Sequence, residues 1–527
     1  MHLNRRIALG LLVVLLQACA SGPKPSQPDL NEAGGGSDWL LPNRDYAGQR
    51  YAGLNGITPD NAAGLRPVCT FNSADTSRFA GNPLVWRGKL YLTTRASTYA
   101  LNAADCTVIW KHEAPGTLNA FQSRGAALKD GKLVRATMDG RLIALDAESG
   151  ALVWESRAAD ATRGEAMVMS PVAFEDMVIV AVGIGEYGVK GWIGAFRLAD
   201  GAPVWKFTTI PVDGDPAATT WSSSETRARG GGGVWTVAPS IDIDQGLLFV
   251  AVGNPAPDFF GDVREGTNLY TASLVVLDVR TGQLRWHRQF VPHDLHDHDL
   301  TVSGPLYQVS IDGRRLSMVA TGGKDGLLRA LDRDSHQEVF SVAVTTRTNA
   351  DAAPTTAGVH SCPGALGGLQ WNSPAFSPRL NRLFVPAVDW CATFRKADQL
   401  RYVPGQFYMG GSATADPVEK SRGWLTALDA ATGAVAWRYE SRLPMVAAVT
   451  ATSGDMLFTG ELTGDFLALD ARDGKVLYRH AVGGAIGNGV ITYGVGGRQV
   501  VAVTSGTATA FWKVPAAPAS VTLFALP

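Results

Sequence analysis

One stretch of the chain reads Ala144-Leu145-Asp146-Ala147-Glu148-Ser149-Gly150-Ala151-Leu152-Val153-Trp154. An apolar segment leads into Asp146, the residues from Asp146 to Gly150 favour a tight turn, and a second apolar segment ends on Trp154. This pattern predicts two β-strands joined by a turn, with an aromatic side chain near the start of the second strand. It occurs in six further places, each ending on an aromatic residue: Trp110, Trp205, Trp286, Phe340, Trp437 and Tyr478.

The spacing of these seven copies predicts the architecture. Most copies lie about 40 to 55 residues apart, which matches one four-stranded blade of a β-propeller. The interval from Trp205 to Trp286 is longer, and we interpret it as one blade with long loops. The interval from Phe340 to Trp437 is about twice the usual length, so we place an eighth, degenerate blade within it. The sequence therefore predicts an all-β, eight-bladed β-propeller rather than unrelated hairpins scattered through a β protein.

Composition limits the class of partner. The chain has 527 residues, of which 46% are hydrophobic and 18% charged, as in a globular protein with a large core. Its 47 Lys and Arg residues nearly balance its 48 Asp and Glu residues. Because no positive field is available to attract a phosphate backbone, we do not expect nucleic acid as a partner.

The N-terminus has the features of an export signal. Arg5 and Arg6 precede a short apolar run, residues 7–16, which is too short to span a bilayer. The run ends in Leu16-Gln17-Ala18-Cys19, which resembles a bacterial lipobox. We therefore predict a signal peptide over residues 1–18 and a lipid on Cys19, which would place the protein in the periplasm, anchored to the bacterial membrane, in particular the outer one. The alternative is a cleaved signal without lipid.

The rest of the predicted organisation follows from this signal. Residues 19–37 are rich in Pro, Gly and Ser and predict a flexible tether, which leaves residues 38–527 for the propeller. Four cysteines remain after Cys19, and disulfides persist in exported proteins. Three pairings are possible, and locality in the sequence favours Cys69–Cys106 and Cys362–Cys391. The chain has no Cys-x-x-Cys-His motif and so no c-type haem of its own.

Three loop segments carry candidate functional groups. Residues 185–191 hold Glu186 among glycines after the apolar run 177–182, and residues 253–257 hold Asn254 after the apolar run 247–252. Residues 292–299 hold three aspartates and three histidines. Propellers bind ligands where such loops converge, and oxygen donors of this kind suit a hard cation such as Ca²⁺. Each segment alone is also compatible with a solvated loop, and the histidines His293, His296 and His298 offer zinc or copper as an alternative.

The repeat and the three segments together resemble the methanol dehydrogenases and related quinoprotein alcohol dehydrogenases, over about Trp39 to Trp512. The resemblance implies a tryptophan-docked propeller that oxidises an alcohol to an aldehyde or ketone with pyrroloquinoline quinone (PQQ) and Ca²⁺ or a lanthanide ion. Electrons would pass to an external acceptor such as a c-type cytochrome. The residues implied as metal ligands are Glu186, Asn254 and Asp297, and Asp297 is also implied as the catalytic base.

Further residues are implied by the same resemblance. Arg124 corresponds to an arginine that pairs with a quinone carboxylate, Trp235 to a tryptophan that stacks on the ring, and Lys324 to a cation near the reactive carbonyls. Asp389 stands where the family has an asparagine in contact with the cofactor. The Cys362–Cys391 pair also has a counterpart there.

Asp299 bears on the identity of the metal. It lies two residues after Asp297, and side chains at i and i+2 of an extended segment project to the same side. An acid at this offset resembles the lanthanide-dependent members of the family, whereas the calcium enzymes have a small neutral residue there. We therefore predict Asp299 as a fourth ligand and a lanthanide as the preferred ion; the alternative is that Asp299 turns outward or pairs with a histidine and the site holds calcium.

The chain also departs from the family pattern. Leu118-Asn119 replace an adjacent cysteine pair, and Ala80, Ala166 and Val446 replace an acid, a threonine and a tryptophan. His296 and His298 stand in place of aromatic residues. These changes predict a wider pocket and a bulky or secondary alcohol, with the polyvinyl-alcohol dehydrogenases as nearer relatives. Two other interpretations remain: a non-catalytic lipid-anchored scaffold in outer-membrane protein assembly, and a quinone-binding sensor or degenerate enzyme.

Overall fold

The computed structural model describes residues 24–114 and 124–527. Cys19 of the predicted lipobox and the Leu118-Asn119 pair lie outside the described residues. Within the described ranges the chain forms 37 strands, two short α-helices and eight 3-10 helices, which confirms the predicted all-β class. Those same ranges include no helix with the length and apolar character needed to cross a bilayer.

The strands, numbered in chain order, are β1 (Tyr51–Ala52), β2 (Arg66–Asn72), β3 (Leu84–Trp86), β4 (Lys89–Thr93), β5 (Ser97–Asn102), β6 (Val108–Glu113), β7 (Ala126–Lys129), β8 (Lys132–Ala136), β9 (Arg141–Asp146), β10 (Leu152–Arg157), β11 (Val172–Phe174), β12 (Met177–Ala181), β13 (Trp192–Arg197), β14 (Pro203–Thr208), β15 (Ser240–Asp242), β16 (Leu247–Val252), β17 (Ser273–Asp278), β18 (Leu284–Gln289), β19 (Leu300–Val302), β20 (Leu306–Ile311), β21 (Arg314–Gly323), β22 (Leu327–Asp332), β23 (Glu338–Ala343), β24 (Val359–Ser361), β25 (Ala375–Ser377), β26 (Arg382–Asp389), β27 (Ala392–Lys396), β28 (Gly411–Ala415), β29 (Arg422–Asp429), β30 (Val435–Ser441), β31 (Thr450–Thr452), β32 (Met456–Gly460), β33 (Asp465–Asp470), β34 (Val476–Ala481), β35 (Val490–Val495), β36 (Arg498–Ser505) and β37 (Ser520–Ala525). The α-helices are α1 (Gln27–Asn31) and α2 (Ser224–Ala228). The 3-10 helices are Ala33–Gly35, Ala62–Gly64, Ala161–Arg163, Gly185–Tyr187, Pro216–Thr220, Gly261–Val263, Val418–Lys420 and Ala510–Trp512.

Nine sheets are formed within the described residues, and eight of them have four or five strands. Their strand orders are β3-β4-β5-β6, β7-β8-β9-β10, β11-β12-β13-β14, β15-β16-β17-β18, β19-β21-β22-β23 with β20 beside β21, β25-β26-β29-β30, β1-β31-β32-β33-β34 and β2-β37-β36-β35. Neighbouring strands are antiparallel except β1 and β31, which are parallel. Short antiparallel sheets repeated along the chain are the pattern of a β-propeller.

The repeat aromatics join one sheet to the next. The Trp110 indole N–H donates to the carbonyl of Ala147 (3.1 Å), and that of Trp205 donates to Val279 (3.1 Å). A Cβ atom added at Gly150 would come within 2.6 Å of the Trp110 ring, so the glycine of one copy leaves room for the aromatic of the copy before it. Gly150 also has φ +73°, which favours glycine. The repeat therefore fixes both the turn within a sheet and the contact between sheets.

The interval from Trp205 to Trp286 is one sheet with long loops, as predicted. The eighth blade predicted between Phe340 and Trp437 is wrong, because that interval contains the three-stranded sheet β24-β27-β28 and then the start of the sheet that carries Trp437. The remaining four-stranded sheet instead combines β2, near the N-terminus, with the last three strands of the chain. It has no copy of the Asp-x-x-x-Gly pattern, which is why the repeat did not reveal it.

The cysteine pairing follows the prediction. Disulfides join Cys69 to Cys106 and Cys362 to Cys391. The first connects β2 to the turn between β5 and β6, and the second connects β24 and the segment after it to the turn between β26 and β27. The first bridge therefore links two sheets, whereas the second joins residues next to the paired strands β24 and β27 of one sheet.

Residues 24–37 differ from the flexible tether predicted for 19–37. Ser26 caps α1 through a capping box with Asp29, and Leu30 and Ala33 are buried in the hydrophobic core. The carbonyl of Ser37 accepts a hydrogen bond from the Gly494 amide (2.9 Å). This part of the predicted tether is therefore packed against the sheets, because its apolar side chains have a surface to cover.

Candidate active site

Six of the residues implicated from the sequence line one cavity of about 470 Å³: Arg124, Glu186, Trp235, Asp297, Asp299 and Lys324. They come from loops that follow the strands of different sheets. A site that is assembled from several sheets in this way depends on the whole fold.

Three carboxylates meet at one wall of the cavity. The oxygens of Glu186, Asp297 and Asp299 lie within 4.8 Å of one another, and Asp297 and Asp299 are buried. Glu186 lies in the 3-10 turn Gly185–Tyr187, which is separated from the end of strand β12 by three residues. Asp297 has φ +58°, a left-handed conformation that is uncommon for a residue with a side chain. Strained backbone of this kind often occurs at functional sites.

Asp294 organises the loop that carries Asp297 and Asp299. Its two carboxylate oxygens accept hydrogen bonds from the backbone amides of His296 (2.9 Å) and His298 (2.8 Å). Asp294 is therefore a structural acid that holds the loop in shape, while the next two acids of the segment face the cavity.

Lys324 balances part of the negative charge. Its ammonium nitrogen lies 2.8 Å from Oδ1 of Asp297 and 2.7 Å from Oδ2 of Asp299. Lys324 directly follows β21, and its backbone amide donates to the Asp299 carbonyl (2.9 Å). All three side chains are buried, so these contacts are shielded from water. Asp299 therefore neither turns outward nor pairs with a histidine.

Burial raises the pKa of two of the three carboxyl groups, those of Glu186 and Asp297. Burial is the largest cause and, together with the Asp299 charge, raises the pKa of Glu186 to about 7. Burial also raises the pKa of Asp297 well above its usual value, although Lys324 opposes this shift. Burial alone would lower the pKa of Lys324, but the charges of Asp297 and Asp299 outweigh it and the net shift is upward. A cation at this wall would displace protons from the acids.

Asn254 contacts the acid cluster through its backbone amide. Its backbone amide donates to Oδ1 of Asp299 (2.8 Å), and its side-chain amide donates to the Pro255 carbonyl (3.2 Å). Asn254 is buried and, unlike the acids, does not line the cavity. It lies two residues after the end of β16, as the sequence pattern indicated.

Arg124 and two tryptophans form another part of the cavity. The guanidinium carbon of Arg124 lies 4.4 Å from the ring centroid of Trp371 and 5.6 Å from that of Trp235. Its Nε donates to the Trp235 carbonyl (3.0 Å). Burial lowers the pKa of Arg124 to about 9. No carboxylate of the described residues forms an ion pair with Arg124, which leaves a buried cation facing a cavity.

Residues 39–354, more than half of the chain, match the family model for the glucose/ethanol/alcohol dehydrogenase β-propeller domain. The chain belongs to the family of PQQ-dependent alcohol dehydrogenases. Every site residue described above except Trp371 lies within this match. Residues 421–524 match a second model, that of the outer membrane protein assembly factor BamB, and none of the implicated acids lies in that range.

Individual relatives agree with this family assignment. The dehydrogenase subunit of the quinone-type alcohol dehydrogenase of Gluconacetobacter polyoxogenes is 30% identical, over 89% of this chain and 71% of the relative. The lanthanide-dependent methanol dehydrogenase of Methylacidiphilum fumariolicum is 27% identical, over 89% of this chain and 84% of its own length. A solved europium-containing methanol dehydrogenase superimposes with a TM-score of 0.85 at 25% identity, over 95% of this chain and 100% of that structure. Because the chain belongs to a family of enzymes, the interpretation as a non-catalytic scaffold is set aside.

The residues of the cavity fit the cofactors that name the family. PQQ is a flat tricarboxylate, and the unpaired Arg124 guanidinium above two indole rings offers a cation beside apolar faces. The Lys324 ammonium lies 5.2 Å from the Trp235 ring centroid, on the side of the acids. Clustered carboxylate oxygens are the donors that Ca²⁺ and other hard cations prefer. The donor set therefore suits a quinone and a metal ion side by side.

Trp371 and an apolar wall were not identified from the sequence. Aromatic and aliphatic side chains also line the cavity: Phe79, Leu366, Phe407, Met409, Phe511 and Trp512. They lie in loops that lack the strand-end pattern by which the acids were found. Ala80, one of the departures from the family pattern, also lines the cavity and contributes an apolar side chain to it.

Asp389 and the three histidines of the zinc or copper alternative do not line the cavity. Asp389, predicted to contact the cofactor, is absent from the cavity wall, and its carboxylate accepts hydrogen bonds from Thr346 (2.9 and 3.1 Å) and the Trp424 indole (3.0 Å). The proposed zinc or copper set is also incomplete, because His293 bonds the Gly266 carbonyl (2.9 Å) and is not part of the group formed by Asp294, His296 and His298.

Proposed function

We propose that this protein oxidises an alcohol to an aldehyde or ketone with PQQ and Ca²⁺ or a lanthanide ion, and passes the electrons to an external acceptor such as a c-type cytochrome. One observation carries the proposal. The oxygens of Glu186, Asp297 and Asp299 lie within 4.8 Å of one another at a cavity that is also lined by Trp235 and by Arg124, whose guanidinium has no carboxylate partner among the described residues.

Each residue has a role in this proposal. Glu186, Asn254, Asp297 and Asp299 would hold the metal ion, and Arg124, Trp235 and Lys324 would hold the quinone. When bound, the quinone accepts the two electrons of the alcohol and the metal ion withdraws electron density from it. Asp297 would accept the hydroxyl proton on a carboxylate oxygen, and the Lys324 ammonium at 2.8 Å stabilises the charged form that this requires.

The apolar wall supports a bulky or secondary alcohol as substrate. Six apolar side chains line the cavity together with the acids, and two of them, Phe407 and Phe511, are 50% and 46% exposed. Such a surface favours a hydrocarbon group and gives little to a substrate as small as methanol.

The direct test is reconstitution of the purified protein. Apoprotein is titrated with PQQ plus Ca²⁺ or La³⁺, and dye reduction is followed with primary, secondary and bulky alcohols. We expect quinone binding and alcohol-dependent dye reduction with at least one of the two metals. Quinone binding without activity toward any alcohol would favour the sensor or degenerate-enzyme interpretation instead.

We infer that Asp299 is a metal ligand and that the site prefers a lanthanide. Asp299 is buried beside Asp297. Its carboxylate contacts the Lys324 ammonium and accepts a hydrogen bond from the backbone amide of Asn254. We expect Asp299→Ala to lower activity with La³⁺ by roughly tenfold or more and to lower activity with Ca²⁺ less, because a third carboxylate matters most to a trivalent ion. The measurement is turnover across a titration of each metal, with the exposed Asp262→Ala as the matched control. A parent protein equally active with Ca²⁺ alone, and an unchanged preference in Asp299→Ala, would assign the site to calcium.

We also propose that the eight four- and five-stranded sheets are the blades of one closed ring. The antiparallel pairing of β2 with β37 supports this, because it joins the two ends of the described chain in a single sheet. The domain assignment of 38–527 to the propeller extends accordingly to include the packed residues 24–37.

Location is a separate proposal, which depends on the lipobox. We expect Cys19→Ser to move the protein from the membrane fraction to the soluble periplasmic fraction, because it removes the residue that would carry the lipid. Quinone binding should be unchanged, since the cavity is formed by residues from Arg78 onward. Fractionation followed by immunoblotting measures this, and a variant that stays in the membrane fraction would show that the lipobox interpretation is wrong.

A further inference from the structure

Asp258 is a buried acid beside the candidate site to which no role has been given. Its residue exposure is 0%, and neither carboxylate oxygen accepts a hydrogen bond from any residue in the described ranges. Leaving a buried carboxylate without a partner is unfavourable. A fold keeps such a group where something other than the protein's own donors can interact with it.

The nearby Arg264 does not neutralise this acid. Its donors go to other acceptors: the Pro257 carbonyl (3.0 Å), Oδ1 of Asn268 (2.8 Å), and the backbone carbonyls of Asp258 (3.1 Å) and Asp294 (2.5 Å). Arg264 therefore holds the main chain around Asp258 in place and forms no ion pair with its carboxylate within the described residues.

Asp258 lies next to the acid cluster. The Tyr408 amide donates to the Glu186 carbonyl (2.5 Å), and the Phe259 amide donates to the Met409 carbonyl (2.8 Å). Residues 408 and 409 thus connect the Glu186 turn to the Asp258 loop. Burial and, after it, the charges of Glu186 and Asp299 raise the pKa of Asp258 well above its usual value.

The charges of the neighbouring groups indicate a function for Asp258. Glu186, Asp297 and Asp299 carry three negative charges when ionised, and Lys324 cancels one of them. Asp258 adds a further negative charge when ionised, close to the Arg264 guanidinium, and each added negative charge attracts a trivalent ion more strongly than a divalent one. We propose that Asp258 is a fourth acidic group of the metal site and makes it selective for trivalent over divalent cations. This inference rests on the proposed metal site at Glu186, Asn254, Asp297 and Asp299.

The test measures metal binding by the purified full chain without quinone. Tb³⁺ binding is followed by luminescence sensitised through the tryptophans of the cavity, and Ca²⁺ binding by competition. We expect Asp258→Asn to weaken Tb³⁺ binding more than Ca²⁺ binding, with the ratio of the two affinities falling about tenfold, because Coulomb attraction scales with the charge of the ion. The control is Asp262→Asn, which removes an exposed acid, paired with Lys396, from the same loop.

Thermal unfolding separates this role from a structural one. Without metal, Asp258→Asn should unfold at the parental temperature or above it, because it removes an unpaired buried charge. With Tb³⁺, its gain in melting temperature should be smaller than that of the parent. Asp258→Ser provides a second variant for the same measurements should Asp258→Asn fail to fold.

The outcomes are distinct. Equal weakening of Tb³⁺ and Ca²⁺ binding, or no change in either, would overturn the role of Asp258. If Asp299→Ala loses Tb³⁺ binding while Asp258→Asn keeps the parental ratio, only this inference fails and the proposed metal site stands. If the parent protein does not bind Tb³⁺, both fail together.

Discussion

Asp297→Asn is expected to lower alcohol-dependent dye reduction by about 10²–10⁴-fold, which is the usual cost of losing a positioned base. The amide has nearly the same shape as the carboxylate but cannot accept the hydroxyl proton at neutral pH. The substitution also removes one negative charge from the proposed metal site. Turnover is therefore measured at saturating metal, which separates an effect on catalysis from an effect on metal affinity.

The fold should tolerate this substitution. Lys324 keeps its contact with Asp299 at 2.7 Å, so the buried ammonium retains a counter-ion. We therefore expect a melting temperature close to that of the parent and retained quinone binding. Asp262→Asn, at an exposed ion pair with Lys396, controls for the loss of an acid elsewhere on the surface. Turnover near the parental value in Asp297→Asn would exclude this residue as the base.

Arg124→Gln is expected to weaken PQQ binding by roughly 30- to 5,000-fold. The range corresponds to the 2–5 kcal/mol that truncation of a buried, hydrogen-bonded charge pair typically costs. Arg124 is buried, has no ion pair among the described residues and lies over Trp371, so a bound carboxylate would be its counter-ion. Quinone titration followed by tryptophan fluorescence gives the dissociation constant.

Two further variants make this measurement specific. Arg124→Lys keeps the charge but loses the planar fork, so it should recover only part of the affinity. Arg135 is also buried, but its guanidinium donates to the carbonyls of Ser97 and Thr94 (both 2.9 Å) and faces no cavity. Arg135→Gln should therefore destabilise the fold and leave quinone affinity unchanged. Loss of affinity in Arg135→Gln equal to that in Arg124→Gln would indicate a general effect of removing a buried arginine.

The parts of the fold that could be predicted from the sequence are those that short local motifs specify. The aromatic of each copy packs on the glycine of the next, as with Trp110 and Gly150, so a short motif specifies both a turn and an inter-sheet contact. The sheet of β2, β35, β36 and β37 escaped prediction because its members lie at opposite ends of the chain. The helix in the N-terminal segment also has a local sequence signal, because Ser26 and Asp29 have the spacing of a capping box.

Glu186 and Asn254 were predicted because each comes soon after an apolar strand. Lys324, like Arg124 and Trp235, was implied by the resemblance to the family instead. Trp371 and the apolar wall lie in irregular loops, and only the fold brings them to the cavity. Asp389 was misassigned because a matching position in the chain does not give the direction of a side chain. Its carboxylate is engaged by Thr346 and Trp424 instead.

Pairing of β2 with β37 has a consequence for biogenesis. Residues 66–72 are among the first strands to be made, yet their antiparallel partner is residues 520–525, at the far end of the chain. An unpaired strand edge is open to association with other chains until its partner arrives. The Cys69–Cys106 bridge ties that early strand to its neighbouring sheet, so oxidation during export would keep it in position while the rest of the polypeptide emerges. Formation of this sheet is therefore a late event in synthesis of the described chain, and loss of the last strands would leave the edge of β2 unpaired.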